Sequence, residues 1–214
     1  MNIAIYASGR GSNFEALYRR LSEQRIDARI VAVISNNSGS GALALARSFG
    51  IPAIHLSRRQ FATDAEFAAR QLALLESFGV DLIVLAGYMK KIETAVIERY
   101  RNRILNIHPA LLPKYGGQGM YGHHVHEAVM QSGDAESGAT VHIVTDDYDT
   151  GPIVIQKRVP VDRDDTPESL ARKVLAIEHT ILAEAVALFA SNAVSFENGR
   201  VVIRHDVEHM KSTH

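Results

Sequence analysis

Five short apolar runs punctuate the first half of the chain: "NIAIYA" (2–7), "RIVAVIS" (29–35), "PAIHL" (52–56), "DLIVLAG" (81–87) and "RILNI" (103–107). Runs this brief, apolar at successive positions, suit strands buried from both sides. Longer segments of helical periodicity separate them. In "SNFEALYRRL" the side chains of Phe14, Leu17, Tyr18 and Leu21 fall on one helical face, and Ser12 or Asn13 is placed to cap the first turn. Similar spacing predicts helices near 40–49, 64–78 and 93–100.

Strand, helix, strand repeated in this way predicts an α/β fold, with a mostly parallel, twisted, Rossmann-like sheet covered by helices on both faces. In such sheets ligands bind beyond the C-terminal strand ends, so candidate residues are sought there. After residue 108 the rhythm changes to a proline- and glycine-containing loop (109–122) and a helix near 123–132. Two runs, "GATVHIVT" and "PIVIQKRVPV", then suggest a hairpin-like extension, and a long helix runs to Ala190 with Thr166 as cap and Pro167 at its first position. "RVVIRH" suggests a short strand, and the tail "DVEHMKSTH" is expected to be loose. No repeat or composition break divides the 214 residues, which predicts one domain over 1–214 with halves 1–100 and 101–190 sharing a core.

The formal net charge of -1 gives no electrostatic footprint for nucleic acid or an anionic membrane, so any anion must be held by a local device. The chain has no cysteine, which excludes disulfides and thiolate chemistry. Neither a basic leader nor an apolar stretch of about eighteen residues is present, and a cytoplasmic location is expected.

The local device is suggested by "ASGRGSN" (7–13), a glycine-rich turn between strand and helix. Amides at such a helix start, beside the positive end of the helix dipole, suit a phosphate; a tight turn with an ordinary cap is the plainer alternative. Dinucleotide binding is disfavoured, because Phe14 stands where a third glycine is needed and "ISNNSG" brings no acid for a ribose.

In "LNIHPALLPKYGG" (105–117), Asn106 and His108 lie two apart on an extended segment and so share a face, while Pro109 keeps His108 extended. An amide donor beside a titratable imidazole suits acyl transfer, one stabilising a developing oxyanion and the other moving a proton. The loop "VTDDYDTGPIV" (144–154) offers Asp146, Asp147 and Asp149; one of them beside the imidazole would raise its pKa, but spacing alone does not choose among them. No calcium-loop pattern continues from these acids. Glu178 shares an apolar stripe with Val174, Ile181 and Leu182, so its carboxylate needs a partner or an opening onto a cleft. His123, His124 and His126 cluster at a helix start, with a metal site as the sharper reading and a cleft-side position as the plainer one. Lys90 and Lys91 read as solvated rather than catalytic.

Taken together, "SGRGSN" (8–13), "LAGYMKKI" (85–92), "LNIHPALLPKYGG" (105–117) and "DDYDTGPIV" (146–154) resemble the folate-dependent formyltransferases over nearly the whole chain, and the Asn-x-His-Pro-x-Leu-Leu-Pro block is specific to them. The resemblance implies the formyltransferase fold and transfer of a formyl group from 10-formyltetrahydrofolate, as co-substrate, to the amine of glycinamide ribonucleotide in purine biosynthesis. No metal is implied, nor any nucleic acid or membrane partner, and the state would be monomer or homodimer. By motif, Gly11, Ser12, Asn13 and Glu178 would hold the ribonucleotide, making 1–100 the phosphate-binding half. Met89, Lys90, Lys91, Ile92, Asn106, Thr145, Asp146, Asp147, Tyr148 and Asp149 would border the folate, with 101–190 as the folate-binding and catalytic half. Asn106, His108 and Asp149 would be catalytic, Asp149 raising the His108 pKa.

The length leaves no room for the extra domains of the hydrolase and transfer-RNA branches of the family, and the phosphate loop favours a phosphorylated acceptor. A hydrolase or a non-catalytic phosphate-binding module would be the alternatives. The chain departs from the commoner pattern in a longer loop at 116–123, in Thr150 after the aspartate, and in Asp64 where an arginine is frequent.

Overall fold

The computed structural model describes residues 1–204; the tail expected to be loose lies outside them. Strands β1 (Asn2–Tyr6), β2 (Arg29–Ser35), β3 (Ala53–His55), β4 (Leu82–Leu85) and β5 (Ile104–His108) pair in parallel. Strands β6 (Glu136–Ile143) and β7 (Ile153–Pro160) then add antiparallel at the β5 edge, giving the order β3-β2-β1-β4-β5-β6-β7. The segment expected as a hairpin-like extension thus continues the main sheet. "RVVIRH" does supply a strand, β9 (Arg200–Ile203), paired with β8 (Val194–Glu197) in a separate two-stranded sheet.

The period-two alternation of the strands divides the core. Ile3, Ile5, Val33, Leu82, Val84, Leu105 and Ile107 face one side, where helices α1 (Ser12–Glu23), α2 (Gly41–Ser48), α5 (His123–Ser132) and α6 (Pro167–Ala190) pack. Ala4, Tyr6, Ile34, Ile83, Leu85 and Ile104 face the other, covered by α3 (Asp64–Ser77) and α4 (Thr94–Arg99). Every strand of the parallel core is therefore apolar at consecutive positions, which is why the runs read so clearly in the sequence.

Helix α6 anchors the first face. Leu170, Val174, Ile181, Leu182, Val186 and Phe189 are buried along it at three- and four-residue spacing, each large side chain contributing about 1.5–3 kcal/mol. Thr166 caps it, accepting from the Ser169 N–H, and Pro167 occupies its first turn. Strand order reverses between β1 and β4, and the crevice beyond their C-terminal ends is where the candidate residues gather.

Candidate active site

A cavity of about 820 Å3 opens above the C-terminal ends of β1, β4 and β5. At one end lies the β1–α1 turn. Gly11 adopts φ 87°, and a Cβ there would stand 2.8 Å from the Ala42 Cα of α2, so only glycine permits both the turn and the close approach of the two helices. The expected Ser12 or Asn13 cap is not formed: Gly11 is the cap residue and no side chain closes the helix start. The reason is visible in Asn13, whose Nδ2 donates instead to Glu178 Oε2 of α6 at 2.7 Å. Glu178 is 7% exposed; burial pushes its carboxyl pKa up, and the Asn13 hydrogen bond only partly offsets this. Gly11, Ser12, Asn13 and Glu178 all line this end of the cavity.

Towards the middle, β5 delivers Asn106 and His108 to one face, as their spacing predicts. The antiparallel register places His142 of β6 opposite Asn106, and Thr140 opposite His108. Buried Thr140 donates to the Ala110 carbonyl at 2.6 Å and accepts from the Leu112 N–H at 3.2 Å. These bonds turn the following chain back over the strand end, and the Tyr115 carbonyl reaches His108 Nε2 at 2.7 Å. A carbonyl only accepts, so Nε2 carries a proton and Nδ1 is the titrating nitrogen.

Asp149, at φ 55°, stands over this group from the β6–β7 loop. Aspartate tolerates the left-handed region better than most residues. Its Oδ2 lies 3.7 Å from His108 Nδ1 and accepts from the Gly117 N–H at 2.9 Å, while its Oδ1 lies 3.4 Å from both His142 Nε2 and Asn106 Nδ2. Burial acts to raise the Asp149 pKa, but His142, His108 and the Gly117 N–H together bring it below the usual carboxylate range. Asp149 is therefore an anion. His142 Nδ1 lies 2.9 Å from the Ile143 carbonyl, and its Nε2 lies between Asp149 Oδ1 at 3.4 Å and Asn106 Nδ2 at 3.1 Å.

Asp149 pulls the His108 pKa upward, as expected, but the net shift is downward. Asp149 and the Tyr115 carbonyl do favour the imidazolium, but burial opposes it more strongly, with His142 adding to the opposition, and the pKa lies below its ordinary 6.5. His108, only 4% exposed, rests as a neutral base.

The remaining wall comes from two loops. Met89, Lys90, Lys91 and Ile92 follow β4, and Thr145, Asp146, Asp147 and Tyr148 follow β6. Of the three loop acids only Asp149 meets the histidines: Asp146 Oδ1 accepts from Thr94 Oγ1 at 3.0 Å, and the Asp147 carbonyl accepts from Thr145 and Thr150. Asp64 lies off the cavity wall in the first turn of α3, paired with Arg58. His124 is also off the wall, while His123 and His126 line it. His123 pairs with Glu127 and Glu168, His126 turns inward, and the described residues contain no group of three His, Asp or Glu arranged to hold a metal.

Sequence reasoning missed His142, the Tyr115 carbonyl and the Gly117 amide. The first was findable: alternation in "GATVHIVT" puts Thr140 and His142 on one face, and only the register opposite β5 was lacking.

The chain is 38% identical over 205 residues to the chloroplastic phosphoribosylglycinamide formyltransferase of Arabidopsis thaliana, covering 95% of this chain and 70% of that protein. Several other relatives are much longer, and the chain spans as little as 14% of them. Among solved structures, glycinamide ribonucleotide transformylase 1 from Symbiobacterium toebii superposes with a TM-score of 0.88 at 38% identity, covering 95% of this chain and 93% of that one. A formyltetrahydrofolate deformylase from Pseudomonas syringae pv. tomato superposes with a TM-score of 0.83 at 25% identity, covering 94% and 65%. The formyl transferase family matches residues 1–186, and the chain belongs to that family.

Proposed function

We propose that the chain transfers the formyl group of 10-formyltetrahydrofolate to the amine of glycinamide ribonucleotide, as a step of purine biosynthesis, in line with relatives named phosphoribosylglycinamide formyltransferase and trifunctional purine biosynthetic protein. The observation that carries this reading is one cavity joining two kinds of chemistry: an uncapped helix start with a buried Asn13–Glu178 pair at one end, and the Asn106–His108–Asp149 group beside it. The first suits a phosphorylated, hydroxyl-bearing acceptor. The second suits movement of an acyl group. Residues 1–100 supply most of the phosphate end, joined there by Glu178, and 101–190 supply most of the reacting end, acting as one unit.

In the mechanism the acceptor amine attacks the formyl carbon and a C–N bond forms. The oxygen that gains charge takes an N–H of Asn106, which gives up its long 3.4 Å contact with Asp149. The amine proton passes to His108 Nδ1, which the Tyr115 carbonyl has left bare. The imidazolium so formed faces the Asp149 carboxylate and lies close to the oxyanion, stabilising it. Nδ1–H then protonates the folate N10 as its bond to the formyl carbon breaks, returning His108 to the neutral form. Met89 to Ile92 and Thr145 to Tyr148 border the folate, and no metal takes part.

His108→Ala tests the assignment. Loss of the proton carrier is expected to lower kcat by roughly 10²–10⁴-fold with the fold intact, and near-normal turnover in a folded variant would remove His108 from the mechanism.

A further inference from the structure

Tyr115 holds φ 56°, a left-handed conformation that a large side chain adopts only where its surroundings impose it. Its carbonyl is the group that reaches His108 Nε2. Rotation about its N–Cα bond towards the ordinary negative φ would carry the ring and the carbonyl away together. Whatever fixes the ring therefore fixes the carbonyl.

The ring packs against the core and is held at its far end. Its hydroxyl lies 2.5 Å from Ser132 Oγ, at the C-terminal end of α5, and 2.9 Å from Asp134 Oδ2, two residues on. A carboxylate only accepts, so the phenol donates to Asp134. Lys114 Nζ donates to both oxygens of that carboxylate, at 2.9 and 3.2 Å, and with the phenol it holds the Asp134 pKa below its ordinary value. Asp134 thus stays an anion throughout the neutral range. Neither Asp134, Ser132 nor Lys114 lines the active-site cavity.

The hold matters because two acceptors compete for one proton. Asp149 Oδ2 faces His108 Nδ1 at 3.7 Å, and alone it would draw the proton of the neutral ring to that nitrogen. The Tyr115 carbonyl, at 2.7 Å, keeps the proton on Nε2 and leaves Nδ1 bare. We propose that Asp134 is a positioning residue that sets the His108 tautomer, acting through the Tyr115 side chain and its carbonyl. The catalytic consequence, a base at Nδ1, rests on the formyl-transfer reading; the tautomer itself does not.

The probe is nitrogen NMR of the ligand-free full chain with isotope-labelled histidines, the His108 signals being identified by their loss in His108→Ala. At about pH 8 the ring is neutral, and the wild type is expected to show Nε2 protonated and Nδ1 bare. In Asp134→Ala and in Tyr115→Phe the ring is expected to pass largely to the Nδ1–H form. Its titration midpoint moves to lower pH by about one unit, because the imidazolium loses the Tyr115 carbonyl while burial, Asp149, His142 of β6 and His126 of α5 remain. In both variants kcat falls about tenfold, with both KM values within about twofold of wild type. The double variant loses nothing further. Asp134→Asn, whose amide oxygen still accepts from the phenol, keeps the wild-type tautomer.

An Nε2–H ring with an unmoved midpoint in both folded single variants would overturn the role, whatever happens to kcat. A shift in Asp134→Asn as large as in Asp134→Ala would also overturn it, by tying the tautomer to the Lys114 ion pair rather than to the phenol. If Asp134→Ala does not fold, Tyr115→Phe decides by the same criteria. A wild type without turnover on glycinamide ribonucleotide removes the formyl-transfer reading, and the spectra still decide the positioning role. Wild-type turnover with an unmoved tautomer in the variants removes this inference alone.

Discussion

Replacing Asp149 by Asn removes one charge and little else. Asparagine tolerates the left-handed φ of 55° as well as aspartate does, and its carbonyl oxygen can still accept from the Gly117 N–H. What is lost is the anion 3.7 Å from His108 Nδ1, with the two side chains 5% and 11% exposed. Opposite unit charges about 4 Å apart interact by about 4 kcal/mol at an effective dielectric near 20. The amide dipole retains part of this, so a loss of about 2–4 kcal/mol in the transition state is expected, roughly 30- to 1000-fold in kcat. The assay is the absorbance change on deformylation of formylfolate with saturating acceptor, run across pH.

The sign of the pH effect follows from the same contact. Asp149 is the stronger of the two groups that oppose burial at His108, so without it the pKa falls further below 6.5. The acid limb of kcat/KM therefore moves to lower pH. A variant whose kcat stays within about fivefold of wild type, or whose acid limb moves upward, would refute the ion pair as the source of His108's catalytic power.

Gly11→Ala forces a Cβ to within 2.8 Å of the Ala42 Cα at a left-handed φ, and should cost about 1–3 kcal/mol in urea unfolding while raising the acceptor KM. Thr166→Ala removes the acceptor for the Ser169 N–H and should lower stability by about 1 kcal/mol with kcat unchanged, which urea melts and the standard assay separate. Stability should fall as pH drops from about 6.5 towards about 4. In that window the unfolded chain protonates His126 and the folded one does not, so His126→Leu should flatten the decline in thermal midpoint.

Much of this was legible in the sequence because the core strands are buried on both sides and the reacting pair sits on one of them. Asn106 and His108 needed only the period of an extended chain to be placed together, and Glu178 stood out as an acid on an apolar stripe. What was not legible depends on segments far apart in the chain. The α1 cap failed because Asn13 answers to a carboxylate 165 residues away. His142 joins the group only through the register of an antiparallel pair. The choice of Asp149 over Asp146 and Asp147 depends on a left-handed turn and on the Gly117 amide, neither of which spacing reveals. The upward pull of the acid on His108 is visible in a motif, but the burial that outweighs it is not.

The central claim is that the cavity brings an acceptor amine, and not water, to a formyl group. The most direct measurement is deformylation of 10-formyltetrahydrofolate by the wild-type chain with and without glycinamide ribonucleotide, with the products quantified. Tetrahydrofolate and formylglycinamide ribonucleotide should appear in equal amounts, with negligible turnover when the acceptor is left out. Release of formate at the same rate with or without the acceptor would contradict the account.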